Sequence, residues 1–165
     1  LSYFFRSTNA VLAGDLQRIT LMDTSSGMLQ EAHRKIKDNG LGKKMKTVQA
    51  NLLEDAHGQS YDLIYILMTL HHILDTRAIL KAFFQHLNPG GWLCIADLDE
   101  EDGSFHAEFP DFDGHNGFNQ GELRILLQDI GFQDVQSGFF YEEIEEKEEG
   151  PRAYPLFLMK GRKPG

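Results

Sequence analysis

Two apolar runs constrain this chain more than anything else in it. Residues 61–68, Tyr-Asp-Leu-Ile-Tyr-Ile-Leu-Met, are almost continuously apolar, and so are Trp92, Leu93, Cys94, Ile95 and Ala96. A strand with one wet face alternates apolar and polar residues, whereas an unbroken run needs cover on both faces, as in a parallel sheet. Between the runs lies a stretch with Ile79, Leu80, Phe83, Phe84 and Leu87 on one helical stripe, the signature of a helix packed on a core. Parallel strands require such crossover helices. These two runs alone therefore predict an α/β unit.

The rest of the chain repeats the alternation. Residues 19–22 and 47–53 read as strands, and 26–38 as a helix with Met28, Leu29, Ala32 and Ile36 on its apolar stripe, stopped by Asn39-Gly40. Asn88-Pro89-Gly90-Gly91 reads as a turn, because proline cannot continue the preceding helix. Asn119 caps a helix carrying Leu123, Leu126, Leu127 and Ile130 and ending at Gly131, with Glu122 placed for a capping box. Residues 134–141 and 154–160 close the chain. No crossover helix separates them, so an antiparallel pair is expected, joined by the charged stretch 142–152. The expected architecture is a mostly parallel sheet with helices on both faces.

At 165 residues the chain suits one domain, 1–165, with no repeat or linker. The net charge of −9 makes nucleic acid a poor partner. The basic cluster Lys43, Lys44 and Lys46 reads as a solvated turn. No apolar run approaches the roughly 20 residues of a membrane span. Cys94 is the single cysteine, which excludes an internal disulfide and cysteine-based zinc sites, and it reads as a small core residue. A cytoplasmic location is expected on those grounds. The chain opens on Leu1-Ser2-Tyr3-Phe4-Phe5 without an initiator methionine, so upstream residues are expected.

In open parallel sheets ligands sit beyond the carboxyl ends of the strands. Asp23-Thr24, Leu52-Leu53, Met68-Thr69 and Asp97-Leu98 occupy those ends. Asp23 has two readings: a grip on the two hydroxyls of a ribose, or the N-cap of the following helix. Ser25 or Ser26 can cap instead, which would release Asp23.

His71 and His72 follow a strand tip. Adjacent histidines do not share an α-helix face as i,i+4 metal ligands do. One packed and one exposed ring is the plain reading, and a general base beside a substrate is the functional one. The acidic stretch holding Asp97, Asp99, Glu100, Glu101, Asp102 and His106 reads as a surface loop. A cation-attracting rim is a second reading, and an oxygen-rich metal site a third that lacks the EF-hand register. The long segment 98–118 is either a lid or a loop anchored to the core through Phe105, Phe109, Phe112 and Phe118.

Five stretches together resemble the class I S-adenosylmethionine-dependent methyltransferases of the small-molecule type. They are ITLMDTSSGMLQEA, VQANLLED, YDLIYILMTLHHILD, LNPGGWLCIADLDEEDGSFH and GFNQGELRILLQDIGFQDV, and the closing YPLFLMKGRKP matches as well. The resemblance covers essentially the whole chain, with order and spacing preserved. It implies a Rossmann-like three-layer α/β/α sandwich around a seven-stranded sheet of order 3-2-1-4-5-7-6, the last strand antiparallel. It further implies S-adenosylmethionine as cofactor, held by Asp23 on the ribose, Thr24 beside it, Met28 near the adenosine, Asn51 and Leu52 at the adenine, and the Met68 carbonyl at the amino acid end. Asn51 stands where the family usually has aspartate. The implied reaction is in-line transfer of the sulfonium methyl to a small-molecule acceptor, with His71 or His72 as a base where the acceptor must lose a proton.

The chain departs from the family at one place. Nothing in it matches the glycine-rich loop that follows the family's first strand, and Gly14 stands alone in VLAGDLQ. The first strand and its loop are expected among residues upstream of Leu1. Two rivals remain open on sequence grounds: a cofactor-free methyltransferase-like partner module, and another nucleotide-binding α/β enzyme such as a nicotinamide-dependent reductase.

Overall fold

A computed structural model describes residues 16–54, 58–147 and 150–165 of the chain. Their contacts divide into two compact units, Leu1–Asp55 and Ala56–Gly165.

The first unit is a βαβ element. Strand β1 (Ile19–Asp23) leads to helix α1 (Ser26–Asp38) and then to strand β2 (Met45–Gln49). The strands pair in parallel, with Ile19 opposite Met45 and Asp23 opposite Gln49. Helix α1 starts where Ser25 Oγ accepts the amide of Met28 at 3.3 Å, which satisfies one of the orphan donors of the first turn. Ile19, Ile36 and Met45 form its small core, with Leu16, Leu21 and Leu41 packed against them. The second strand ends earlier than the sequence predicts. Asn51–Glu54 forms a turn in which the Glu54 amide reaches the Asn51 carbonyl at 3.0 Å.

The second unit holds a four-stranded sheet of order β3-β4-β6-β5. Strand β3 (Tyr61–Leu67) runs into a 3₁₀ turn (Leu70–His72), then helix α2 (Thr76–His86), strand β4 (Leu87–Leu98), helix α3 (Gln120–Ile130), strand β5 (Gln133–Lys147) and strand β6 (Gly150–Arg162). Strands β3 and β4 are parallel, and β6 runs antiparallel to both β4 and β5. Asp75 caps α2 by accepting the Ala78 amide at 2.8 Å. Asn119 caps α3 by accepting those of Gly121 and Glu122. Gly131 ends α3 at a φ of 117°, a left-handed position that glycine adopts without a Cβ penalty. Leu70, Leu80, Leu93, Ile95, Leu98, Leu127, Phe157 and Met159 are all fully buried and make the core.

The two sheets reproduce the expected order in two pieces, 3-2 and 4-5-7-6, with the closing strand antiparallel. The single seven-stranded sheet does not form among the described residues, because the first strand, which carries both central ladders, has no counterpart there. As a result β3 pairs only with β4, and its apolar run is half-buried where double cover was predicted.

The closing hairpin also differs. The charged stretch 142–152 is strand, not connection, except for residues 148 and 149, which lie outside the described residues. Its ladder sets Glu143 opposite buried Tyr154 and Glu145 opposite Arg152. Burial on β6 and the continuous antiparallel ladder sustain strand here despite the acidic composition.

Candidate functional site

The first unit gathers five of the expected cofactor residues at the carboxyl end of its parallel pair. The Asp23 carbonyl accepts the Ala50 amide at 3.1 Å, which ties the tip of β1 to the exit of β2. Asp23 Oδ1 accepts the Ser25 amide at 2.8 Å, closing a turn just ahead of the helix cap. The cap itself is Ser25, so the cap reading of Asp23 falls away. Asp23 is half-exposed, and its Oδ2 has no hydrogen-bond partner among the described residues. Thr24 is exposed, and its carbonyl accepts Gln49 Nε2 at 3.0 Å. Met28 lies half-buried in the first turn of α1. Asn51 Oδ1 accepts the Leu53 amide at 3.1 Å, which fixes the amide so that its NH₂ faces away from the turn it closes. Leu52 is half-buried beside it. An open groove of about 300 Å³ on the same unit is lined by Ser26, Leu29, Gln30, His33, Thr47 and Gln49, and none of the expected residues lines it.

The second unit is built around Asp97, the last polar residue of β4. The carboxyl group is completely buried. Its Oδ2 accepts the amides of Thr69, Leu70 and His71 at 3.3, 2.8 and 3.4 Å, and its Oδ1 accepts the Leu98 amide at 2.8 Å and His71 Nδ1 at 2.5 Å. Three successive amides converging on one carboxylate oxygen make Asp97 the cap of the 3₁₀ turn. This overturns the surface-loop reading for Asp97: the acidic stretch is a loop only from Asp99 onward.

The same turn sorts the histidine pair into one packed ring and one exposed ring. His71 is 1% exposed, and His72 is exposed. In the neutral tautomer that donates its Nδ1 proton to Asp97, the Nε2 of His71 carries the lone pair. The rings of His71 and His72 lie 4.1 Å apart between centroids. His106 comes from the loop to within 5.1 Å of the His71 ring and 5.5 Å of the His72 ring, and stacks on Phe112 at 3.7 Å. Sequence reasoning missed His106 as a partner of the pair, because only the path of the loop brings it there. Its Nδ1 is buried without a partner among the described residues. Burial, and then the neighbouring imidazoles, hold the pKa of His106 below its ordinary value. Burial followed by His71 lowers that of His72. Both rings are accordingly neutral at pH 7.

The loop itself is anchored. The His115 amide bonds the His71 carbonyl at 2.8 Å, and the Glu101 amide bonds the Asn116 carbonyl at 2.9 Å. A Cβ on Gly114 would meet the His71 carbonyl oxygen, and one on Gly117, at a φ of 75°, would meet the Asp99 carbonyl oxygen. Phe105 packs edge-on against Tyr154, and Phe118 bridges Asp99, while Phe109 stays 64% exposed. Met68, at the tip of β3, has a φ of 48°, the left-handed region that a non-glycine residue occupies at a cost of about 1–3 kcal/mol. Its amide reaches the Ala96 carbonyl at 2.8 Å, and its side chain packs against Leu98, Tyr154 and Leu156. Cys94 is half-buried, and burial pushes its thiol pKa up, which suits a core residue and not a nucleophile.

These pieces match a known family. The profile described as "Methyltransferase domain" aligns with residues 9–137. The chain belongs to the class I S-adenosylmethionine-dependent methyltransferases. Within 79 residues it is 34% identical to phosphoethanolamine N-methyltransferase 1 of Arabidopsis thaliana, covering 46% of this chain and 16% of that protein. Within 88 residues it is 32% identical to the ubiquinone/menaquinone biosynthesis C-methyltransferase of Vibrio parahaemolyticus, covering 53% of this chain and 34% of that one. The alignments thus span well under two thirds of either curated relative. Among solved structures, phosphoethanolamine N-methyltransferase 2 of Haemonchus contortus, in complex with S-adenosyl-L-methionine, superimposes with a TM-score of 0.73 at 14% identity, over 96% of this chain and 46% of that one. That likeness establishes the fold. Among the described residues, no helix is long and apolar enough to cross a membrane.

Proposed function

We propose that the protein transfers a methyl group from S-adenosylmethionine to a small-molecule acceptor. The observation that carries this reading is the placement of Asp23. It ends a parallel strand at the ligand edge, is oriented through Oδ1, and keeps Oδ2 without a described partner. That arrangement suits a pair of ribose hydroxyls. Met28 and Leu52 offer apolar cover, and Asn51 offers amide donors, for an adenine. The Met68 carbonyl, which no described donor reaches, is suited to an ammonium group. When bound, S-adenosylmethionine supplies a methyl group activated on a sulfonium, so holding the acceptor in line contributes much of the acceleration.

Where the acceptor carries a proton to be lost, His72 is the base. It is exposed, neutral at pH 7 and backed by the buried His71–Asp97 pair. We expect His72→Ala to lower kcat by about 10²–10⁴-fold for such an acceptor.

The test is titration of the full-length protein with S-adenosylmethionine and with NADPH, followed by turnover assays with phosphoethanolamine and a demethylated quinone as acceptors. Binding of the first nucleotide alone, with release of S-adenosylhomocysteine, supports the reading. Binding of NADPH instead returns the reductase rival, and a folded protein that binds neither is a partner module.

A further inference from the structure

We propose that His71, His72 and His106 form a three-histidine site for a zinc-class divalent cation, with its fourth position open to solvent. One nitrogen from each ring lies within 4.8 Å of the other two. Tetrahedral zinc with bonds of about 2.0–2.1 Å needs nitrogens roughly 3.3 Å apart. That contraction requires rotation of the exposed His72 ring and a small shift of His106 against Phe112.

Two independent observations point to a ligand there. The first is the buried, unpartnered Nδ1 of His106, on a ring that is 9% exposed and held in place by stacking on Phe112. Such an orphan costs about 1–3 kcal/mol unless something meets it. The second is the His71–Asp97 bond. A carboxylate on the far nitrogen of a ligating imidazole fixes its tautomer and raises its basicity, the arrangement found behind metal-bound histidines. Asp97 also places a buried carboxyl group behind the cluster, which offsets the charge of a cation. Neutral imidazoles suit zinc, copper or nickel and not magnesium or calcium. The adjacent pair nonetheless brings its rings together, 4.1 Å apart between centroids, and the third ring arrives beside both from the loop.

The site goes beyond methyl transfer and stands without it. It also interacts with that reading: a cation bound to His72 takes the lone pair the base would use, so bound zinc inhibits transfer to any acceptor that must be deprotonated.

The experiment is calorimetric titration of the tag-free, full-length protein with Zn²⁺, with Co²⁺ as a spectroscopic probe. One equivalent of Zn²⁺ is expected to bind with submicromolar Kd, and Co²⁺ to give the visible absorption of a tetrahedral site. His106→Ala and His72→Ala should each weaken Zn²⁺ binding at least about tenfold, and Asp97→Asn by about 10–100-fold. Should His106→Ala fail to fold, exposed His72→Ala decides. Failure of the folded protein to take up Zn²⁺ at tens of micromolar overturns the site, and so does uptake undiminished by His72→Ala. Either failure leaves S-adenosylmethionine binding untouched, so the two readings are separable.

Discussion

Two aspartates stand at the carboxyl ends of strands of parallel pairs, Asp23 last in β1 and Asp97 next to last in β4, and they do opposite work. Asp23 is half-exposed, with one oxygen on a neighbouring amide and the other without a described partner. Asp97 is completely buried and accepts five hydrogen bonds, four of them from backbone amides. The same residue type near the carboxyl end of a strand is therefore left open at one oxygen in one unit, where we propose it meets a ribose, and is a structural cap in the other. What separates them is the segment that follows. After Asp23 a serine takes over capping of the helix, whereas no side chain caps the 3₁₀ turn after β3 from its own N-cap position. The turn draws its acceptor from the next strand, and Asp97 is that acceptor.

The largest difference between the two aspartates is in stability. Asp97→Ala strands a set of buried donors and should cost about 3–5 kcal/mol in denaturant unfolding. A loss as small as that of an exposed aspartate would mean that the turn stands without its cap. Next is Gly117→Ala, which adds a Cβ at a left-handed position against the Asp99 carbonyl. It should cost about 1–3 kcal/mol and loosen the loop that brings in His106. Hydrogen exchange at the His115 and Phe118 amides would register the loosening.

Acidification gives a smaller loss. The pKa values of His72 and His106 are depressed in the folded protein, so the unfolded chain binds more protons as pH falls below the ordinary histidine range. The contribution is present above the unfolded pKa of about 6.5 and is lost progressively below it. The melting temperature should fall between pH 7.5 and 5. Double substitution of both rings by glutamine should flatten the profile. Smallest of all is Asp23→Ala, expected within about 0.5 kcal/mol of wild type, the usual range for a surface change.

The sequence made the helices and most strands legible because their signals are local. The stripes of α1 through α3, the cap at Asn119, and the apolar runs of β3 and β4 depend on neighbours a few residues away. The acidic half of the closing hairpin did not read as strand, because its stability comes from β6 across the ladder. Site legibility followed the same divide. The position of Asp23 at a strand tip was readable, but the choice of cap among Asp23, Ser25 and Ser26 was not, and the structure gives it to Ser25. The burial of Asp97 was not readable, since in sequence it is simply the first acid of an acidic run. Nor was the arrival of His106 at the histidine pair, which depends on a loop threaded past Gly114 and Gly117 with no room for a side chain at either.

The most direct measurement is calorimetry of S-adenosylmethionine binding to the full-length wild type and to Asp23→Ala, with thermal melts of both. The wild type should bind with a Kd in the micromolar range. Asp23→Ala should bind at least about tenfold more weakly, roughly 1.4 kcal/mol, while melting at nearly the same temperature. Equal affinity in the two proteins, or no heat from a folded wild type, would contradict the assignment of Asp23 as the cofactor's ribose ligand.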